Sequence, residues 1–154
     1  MTRHPKTQAV TWLAVLLLGG LGVLCADALS QSETQTDANE MALSLEGKAT
    51  FNRYCRTCHG EDARGDGPVA EYLRERPADL TKLSAKNQGV FPFERVTQAI
   101  DGRRDVGVHG PREMPVWGDA LRSGSGEPGE DAMVKRKIEE LAYYLKSIQE
   151  PGSP

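Results

Sequence analysis

The residues best suited to chemistry lie together in one pentapeptide, Cys55-Arg56-Thr57-Cys58-His59. Thiols at this spacing can form thioethers with the two vinyl groups of a porphyrin, and the histidine directly behind them can bind the iron. Other uses of a C-x-x-C pair need further parts, since zinc takes two more Cys or His ligands and a thiol redox site lies in a βαβ unit. The sequence has neither pattern. The motif therefore predicts one covalently attached haem c, with His59 bound to its iron.

Function then depends on the second axial position of the iron, which is either filled by a side chain or open to substrates. Among the four methionines, Met114 is the best candidate ligand, because it lies in a loop and precedes Pro115, which stiffens the backbone beside it. The others lie in the N-terminal segment, ahead of the haem motif and at the start of the last predicted helix: Met1, Met41 and Met133. His109 is the rival ligand, and its alternative role is that of a polar surface or propionate-side residue.

Three further residues are candidates for the surroundings of the haem. Pro68 has a backbone carbonyl to offer to the ring N–H of His59, although a proline there also suits the first position of a helix. Trp117 either covers the haem or donates its indole N–H to a propionate, and its alternative is an ordinary core position. Arg76 has the charge to pair with a propionate, unless it is a solvated surface residue.

Two helices are expected to hold this site. The first begins at Leu43 or Ser44 and runs into Cys55, with Gly47 and Phe51 on one face at helical spacing. A glycine inside a helix costs roughly 1 kcal/mol relative to alanine. Gly47 therefore indicates that a second helix approaches closely at this point.

The second of these helices is predicted over residues 132–149, near the end of the chain. Its apolar residues recur at intervals of four, three, four and three, as in a helix with one buried stripe: Val134, Ile138, Leu141, Leu145 and Ile148. Pro151 and Gly152 end it. This pattern favours a helix whose apolar stripe packs on the first one.

Shorter helices are expected between these two. One is predicted from Pro68 to the break at Pro77, and another from Pro92 to Gly102. Residues 124–131, GSGEPGED, have the composition of a solvent-exposed loop. No alternating strand pattern is present, so the expected fold class is all-α, a small helical fold around one covalently bound haem.

These motifs make the chain resemble the monohaem class I cytochrome c family over residues 43–150. Five segments carry the likeness in the family's order: CRTCHG at 55–60, GDGP at 65–68, RPADLT at 76–81, MPVWG at 114–118 and LAYYLKSI at 141–148. The resemblance implies a small all-α fold in which the helix with Gly47 and Phe51 crosses the last helix at Leu141 and Tyr144. It also implies that Met114 is the thioether ligand and that the haem is attached outside the cytoplasm. The GSGEPG insertion departs from the family, and it leaves the loop length there open.

Residues 1–28 have the pattern of an export signal. A basic start precedes an uncharged run from Val10 to Cys25, and Ala26-Asp27-Ala28 supplies small residues for a signal peptidase. Two alternatives stay open, namely a retained membrane anchor through residues 10–26 and lipidation at Cys25. The predicted organisation is a signal peptide or membrane anchor at 1–28, a polar tether at 29–42, a cytochrome c domain at 43–150 and a tail at 151–154.

The composition restricts the class of partner. A formal net charge of −3 argues against nucleic acid, because phosphate binding needs a basic surface. An iron with both axial positions filled favours an electron carrier over an enzyme, so we expect a periplasmic protein of a respiratory chain with a protein redox donor and acceptor. Two alternatives are a cytochrome subunit of a larger membrane or periplasmic oxidoreductase complex, and a haem sensor or peroxidase with a displaceable Met114. The last would depend on His109 as its distal acid–base group.

Overall fold

The computed structural model describes residues 34–103 and 114–151, and these contain helices, turns and loops but no strand. The expected all-α class is confirmed for this part of the chain. Two compact units are present, Met1–Asn39 and Glu40–Pro154. The described residues of the first unit, 34–39, are helical. Those of the second unit form α1 (residues 40–54), α2 (Arg56–His59), α3 (Phe93–Asp101), α4 (Trp117–Ala120) and α5 (Glu130–Ser147).

Helical structure begins earlier than the sequence predicts. The expected start was Leu43 or Ser44, after a polar tether, but residues 34–42 are already helical, so that start is wrong. Within α1, the segment from Glu40 to Ala42 consists of residues with good helix propensity. The carboxylate Oε2 of Glu40 also accepts a hydrogen bond of 2.7 Å from Nζ of Lys146 on α5. This contact over 106 positions is invisible to a local pattern.

The first and last helices cross at Gly47, as expected. Gly47 is buried, and a Cβ placed on it would overlap the carbonyl oxygen of Glu140 and lie 2.9 Å from Cβ of Tyr144. One turn further on, the rings of Phe51 and Tyr144 pack with centroids 5.2 Å apart. At the other side of the crossing, Oγ of Ser44 donates to Oγ of Ser147 over 3.0 Å. Because Gly47 has no side chain, the backbones of α1 and α5 can approach this closely.

The long helix α5 supplies most of the core. The predicted stripe is confirmed at four of its positions, which are buried: Val134, Ile138, Leu141 and Leu145. Ile148 lies just beyond the helix and is only partly buried. The core is completed by residues from the other segments: Phe51, Ala63, Val96, Ile100 and Leu121. It therefore joins α1, α3 and α5 directly behind the haem motif.

The predicted helix from Pro92 to Gly102 is confirmed as α3. Val96 and Ile100 are buried, and Gly102 ends the helix in the left-handed conformation with φ of +65°. Its N–H donates to the carbonyl oxygen of Gln98 over 3.0 Å. A left-handed residue at this position is the usual way to satisfy the last carbonyls of a helix.

The helix predicted from Pro68 to Pro77 is wrong. Only Ala70–Tyr72 is helical, as one 3₁₀ turn, and Leu73 is extended with ψ of 145°. A helix this short depends on packing of an apolar face against the rest of the protein, and Tyr72 is 80% exposed. At the start of the segment, the backbone N–H of Val69 donates to the carbonyl of Thr57 in the haem motif over 3.2 Å.

The loop before α5 is exposed from Gly124 to Gly129, in agreement with its polar composition. The exposed loop is two residues shorter than the predicted one over residues 124–131, because Glu130 and Asp131 already belong to α5 and Glu130 is buried. Within residues 34–103 and 114–151, no helix has both the length and the hydropathy required to cross a membrane.

Candidate functional site

The haem motif occupies one helical turn that follows directly on α1. The N–H of Cys55 donates to the carbonyl of Phe51 over 2.8 Å, and the N–H of His59 donates to the carbonyl of Cys55 over 2.9 Å. Side chains three and four positions apart share one face of a helix. Cys55, Cys58 and His59 therefore face the same side, and the two thiols and the imidazole are presented together.

The two thiols are unpaired and half-buried. Burial, with a smaller contribution from the neighbouring Cys58, raises the pKa of the Cys55 thiol to about 12. In the metal-free protein Cys55 therefore lacks the lowered pKa that is typical of cysteines active in disulfide exchange. Within the described ranges, no group of three or more His, Cys, Asp or Glu side chains is arranged to hold a metal ion. Thioether formation with a porphyrin is the use of this pair that the geometry favours.

The loop that follows the motif bonds to it through its backbone. Three carbonyls of the motif accept hydrogen bonds, from Gly65 N–H to His59 at 2.7 Å, from Gly67 N–H to Cys58 at 3.1 Å and from Val69 N–H to Thr57 at 3.2 Å. Gly67 is buried, and a Cβ there would overlap the carbonyl oxygen of Thr57. The loop thus needs a glycine at this position to pack against the turn that carries the thiols.

The ring of His59 is oriented by a backbone carbonyl. Its Nδ1 lies 3.2 Å from the carbonyl oxygen of Ala78. With the proton on Nδ1 to make this hydrogen bond, Nε2 is unprotonated and can bind iron. The sequence analysis did not identify Ala78, because a backbone carbonyl leaves no mark in the residue type.

The segment after Ala78 is held by a carboxylate cap. The Asp79 side chain accepts hydrogen bonds from N–H and Oγ1 of Thr81, over 3.0 and 2.5 Å. The Lys82 ammonium lies 3.0 Å from the same carboxylate. The hydrogen bonds from Thr81, followed by the bond from Lys82, lower the pKa of Asp79 to about 2. The cap keeps the residues next to Ala78 in a 3₁₀ turn, Leu80–Lys82.

Two of the weaker candidates lie on the loops around the motif. Pro68 is exposed, two residues ahead of the 3₁₀ turn Ala70–Tyr72, and its carbonyl bond to His59 stays a prediction. Arg76 is also exposed, and its Nε donates to the carbonyl oxygen of Gly65 over 3.1 Å. Arg76 therefore ties the two loops together, and its pairing with a propionate likewise stays a prediction.

Met114 and Trp117 are partly buried and pack against the core. Trp117 begins α4, and its ring lies 5.6 Å from that of Tyr54, centroid to centroid, at an angle of 57°. Tyr54 precedes Cys55 in the chain, so this contact links the Met114 segment to the haem motif. His109 lies outside the described residues, and its role as rival ligand stays a prediction.

The side chains present fit a haem. The thiols of Cys55 and Cys58 can form the two bonds to the porphyrin vinyl groups. The imidazole of His59 is oriented by the hydrogen bond between its Nδ1 and Ala78. The side chain of Met114, a candidate iron ligand, is partly buried. Several large apolar side chains packed against the core are only partly covered by protein: Leu80, Leu83, Phe91, Met114 and Trp117. A porphyrin would supply the four equatorial nitrogens that these protein ligands do not provide.

Comparison with known proteins identifies a family for this chain. The family model described as cytochrome c oxidase, cbb3-type, subunit III matches residues 42–125, a span that includes the haem motif and Met114. No match was found among curated proteins or among solved structures. The match covers more than half of the chain and confirms the resemblance to class I monohaem cytochromes c. The chain therefore belongs to the cytochrome c family described as cytochrome c oxidase, cbb3-type, subunit III, whose members act in electron transfer.

Proposed function

We propose that this protein transfers single electrons on one haem c, attached through Cys55 and Cys58 and ligated by His59 and Met114. The observation that carries the proposal is the turn Arg56–His59 with its N-cap residue Cys55, where both thiols share one face with an imidazole whose Nδ1 lies 3.2 Å from the Ala78 carbonyl. With the proton on Nδ1, the lone pair of Nε2 can bind iron. A zinc site would need two further Cys or His ligands, and the described residues bring no group of three or more His, Cys, Asp or Glu side chains together to hold a metal ion. A thiol redox site would need a βαβ unit, and residues 34–103 and 114–151 form no strand.

The chain's own residues set what a bound haem does. When bound, a haem supplies one-electron chemistry between ferric and ferrous iron. The thioether of Met114 is a softer ligand than imidazole, so it favours the ferrous state and raises the reduction potential. The hydrogen bond from His59 to Ala78 fixes the ring and increases its basicity. A more basic imidazole favours ferric iron, so this bond lowers the reduction potential. The balance between these two residues sets the potential of the site.

The packing around the motif supports a carrier rather than an enzyme. Ala63 and Phe51 are almost completely buried next to the motif, with exposures of 0% and 1%, so the core side of the site is closed to water. If His59 and Met114 both hold the iron, they would leave no coordination position for a substrate. The protein's part is then to hold the cofactor and exclude solvent.

We also propose that the protein acts outside the cytoplasmic membrane, in the periplasm, as part of a respiratory chain. The basic start, uncharged run and small residues at Ala26-Asp27-Ala28 support an export signal. Its partners are then a protein electron donor and a protein electron acceptor.

A second candidate function is favoured by the family description, which names a subunit of a cytochrome c oxidase. In this form the protein is a subunit of a larger oxidoreductase and passes electrons within that complex. Native purification from membranes and from the periplasmic fraction separates the two. A stable complex that survives purification favours the subunit, and a monomeric cytochrome in the soluble fraction favours the carrier.

Replacement of the thiols tests the proposal. A denaturing gel stained for haem should show covalent haem on the wild-type band, because thioethers survive denaturation. Cys55→Ser or Cys58→Ser should leave a single thioether or none, so the band should weaken or disappear. Replacement of an exposed residue of the same turn, Arg56→Gln, is the control and should keep the stain. A wild-type band without haem would rule out the function proposed here.

A further inference from the structure

Charged side chains from three parts of the chain meet beside α4, the helix that follows Met114. Asp101 and Arg103 stand at the end of α3, Arg122 follows α4, and Glu130 and Asp131 begin α5. Arg103 lies 11 positions before Met114 and Arg122 lies 8 positions after it. The segment that carries Met114 is therefore bracketed by two arginines.

One carboxylate on α5 binds both arginines. Oδ1 of Asp131 lies 3.2 Å from Nη1 of Arg103 and also accepts a short hydrogen bond from Nη2 of Arg122. Arg103 is bound a second time, by Asp101, with Nε–Oδ1 at 2.6 Å and Nη2–Oδ2 at 2.8 Å. Asp131 thus connects the chain ahead of Met114 to the chain behind it.

The network also touches the helix that follows Met114. Gly118 in α4 is buried, and a Cβ there would overlap Oδ1 of Asp101 and Nε of Arg103. The Asp101–Arg103 pair therefore rests directly on the backbone of α4. Trp117, which packs against Tyr54, is the neighbouring residue.

A second carboxylate, that of Glu130, binds the residues directly after Arg122. Oε1 of the buried Glu130 accepts hydrogen bonds from Oγ of Ser123, over 2.6 Å, and from N–H of Gly124, over 2.9 Å. Its other oxygen, Oε2, lies 3.7 Å from Nη1 of Arg122. Arg122 is consequently held by two adjacent residues of α5.

We propose that Asp131 is a positioning residue for the iron: by holding Arg103 and Arg122 together it keeps Met114 at the axial position. This inference rests on the proposed function, because it takes Met114 as the ligand. Exposed ion pairs contribute little one at a time, but pairs that share a carboxylate are coupled. Asp131 is 71% exposed, so salt screens these pairs. High ionic strength should therefore weaken the hold of these pairs on Met114 and make its displacement from the iron easier.

Carbon monoxide binding to the reduced, haem-loaded protein tests this role, because the ligand competes with Met114 and carries no charge. Asp131→Asn should speed carbon monoxide binding by about threefold to tenfold, the size expected for loss of a coupled ion-pair network. Glu139→Gln is the matched control, since it removes a carboxylate and an exposed ion pair, Lys135–Glu139, elsewhere on α5. It should bind carbon monoxide at the wild-type rate.

Two further measurements assign the effect to the arginines. Asp131→Asn added to an Arg103→Gln/Arg122→Gln variant should cause no further change, because its partners are already gone. Raising the salt concentration should speed carbon monoxide binding more in the wild type than in Asp131→Asn, which keeps only the pairs of Arg103 with Asp101 and of Arg122 with Glu130. Equal rates in the wild type, Asp131→Asn and Glu139→Gln at every salt concentration would overturn the positioning role.

Met114→Ala distinguishes the two proposals. Rapid carbon monoxide binding to Met114→Ala, with no effect of Asp131→Asn, would refute the positioning role and leave Met114 as the ligand. Slow binding to Met114→Ala would refute the ligand assignment, and the role of Asp131 with it.

Discussion

At the scale of single residues, the proposed ligand Met114 would close the iron to added ligands. Replacing it by alanine should open an axial position, lower the reduction potential and allow rapid binding of added cyanide or carbon monoxide, because the thioether is gone. Met114→His should keep six ligands and also lower the potential. Redox titration and ligand-binding spectra measure both effects.

The control for this prediction is the rival ligand, His109. His109→Ala should change neither the haem spectrum nor ligand access. The opposite pattern, in which His109→Ala opens the iron and Met114→Ala leaves it closed, would replace this assignment with a bis-histidine cytochrome of lower potential.

Asp79 should make stability depend on pH. Its pKa lies at about 2 in the folded protein, against 3.8 for the free side chain, chiefly because Thr81 hydrogen-bonds to the carboxylate. A lowered pKa means that the ionised form favours the folded state. The stabilisation is fully present above pH ~4 and is lost as the pH falls towards 2.

Asp79→Asn tests this dependence. It should reduce the free energy of unfolding at pH 7 by on the order of 1 kcal/mol, and the difference from the wild type should shrink between pH 4 and pH 2. Denaturant unfolding of the haem-loaded protein at several pH values measures it. A difference that stays constant with pH would show that the cap does not act through its charge.

At the scale of elements, the crossing of α1 and α5 holds the haem motif against the core. Gly47→Leu should destabilise the protein by a few kcal/mol, in the manner of an overpacked core, because even a Cβ overlaps the Glu140 carbonyl. Thermal unfolding of the haem-loaded protein checks this. Ala49→Leu, on an exposed position of the same helix, is the control and should change stability little. If both variants unfold like the wild type, the helices do not cross at Gly47.

The loops between α2 and α3 show how an element depends on its neighbours. Residues 61–92 contain three short 3₁₀ turns and no α-helix, although the sequence between Pro68 and Pro77 favours one. Three backbone N–H groups ahead of this stretch or at its start, those of Gly65, Gly67 and Val69, donate to the carbonyls of the haem motif. A short helix there would also need an apolar face to bury, and Tyr72 is 80% exposed.

At the scale of the whole molecule, the proposed export can be measured directly. The intact mass of the purified native protein should correspond to a chain that begins at Leu29 and carries one haem, because Ala26-Asp27-Ala28 suits a signal peptidase. A mass that includes residues 1–28 would instead establish a membrane anchor. A lipid on Cys25 would contradict both.

The sequence by itself indicated a haem protein and predicted the main helices. Cys55, Cys58 and His59 are neighbours in the chain, so their spacing alone places them on one turn, whatever the rest of the fold does. The apolar periodicity around Val134 and Ile138 likewise predicted α5, because one helix face is a local property. Gly47 even indicated a close approach, although the sequence did not show that it meets the backbone of Glu140.

Only the tertiary structure decided how the site is held. The Ala78 carbonyl beside His59 is a backbone group, and every residue type would offer the same one. The bond from Lys146 to Glu40 and the pairing of Arg103 with Asp131 join residues that are far apart in the chain. Charged residues of this kind are common on any surface, and sequence spacing does not say which of them meet. Their partners are set by how the helices pack, which depends on all of the core at once.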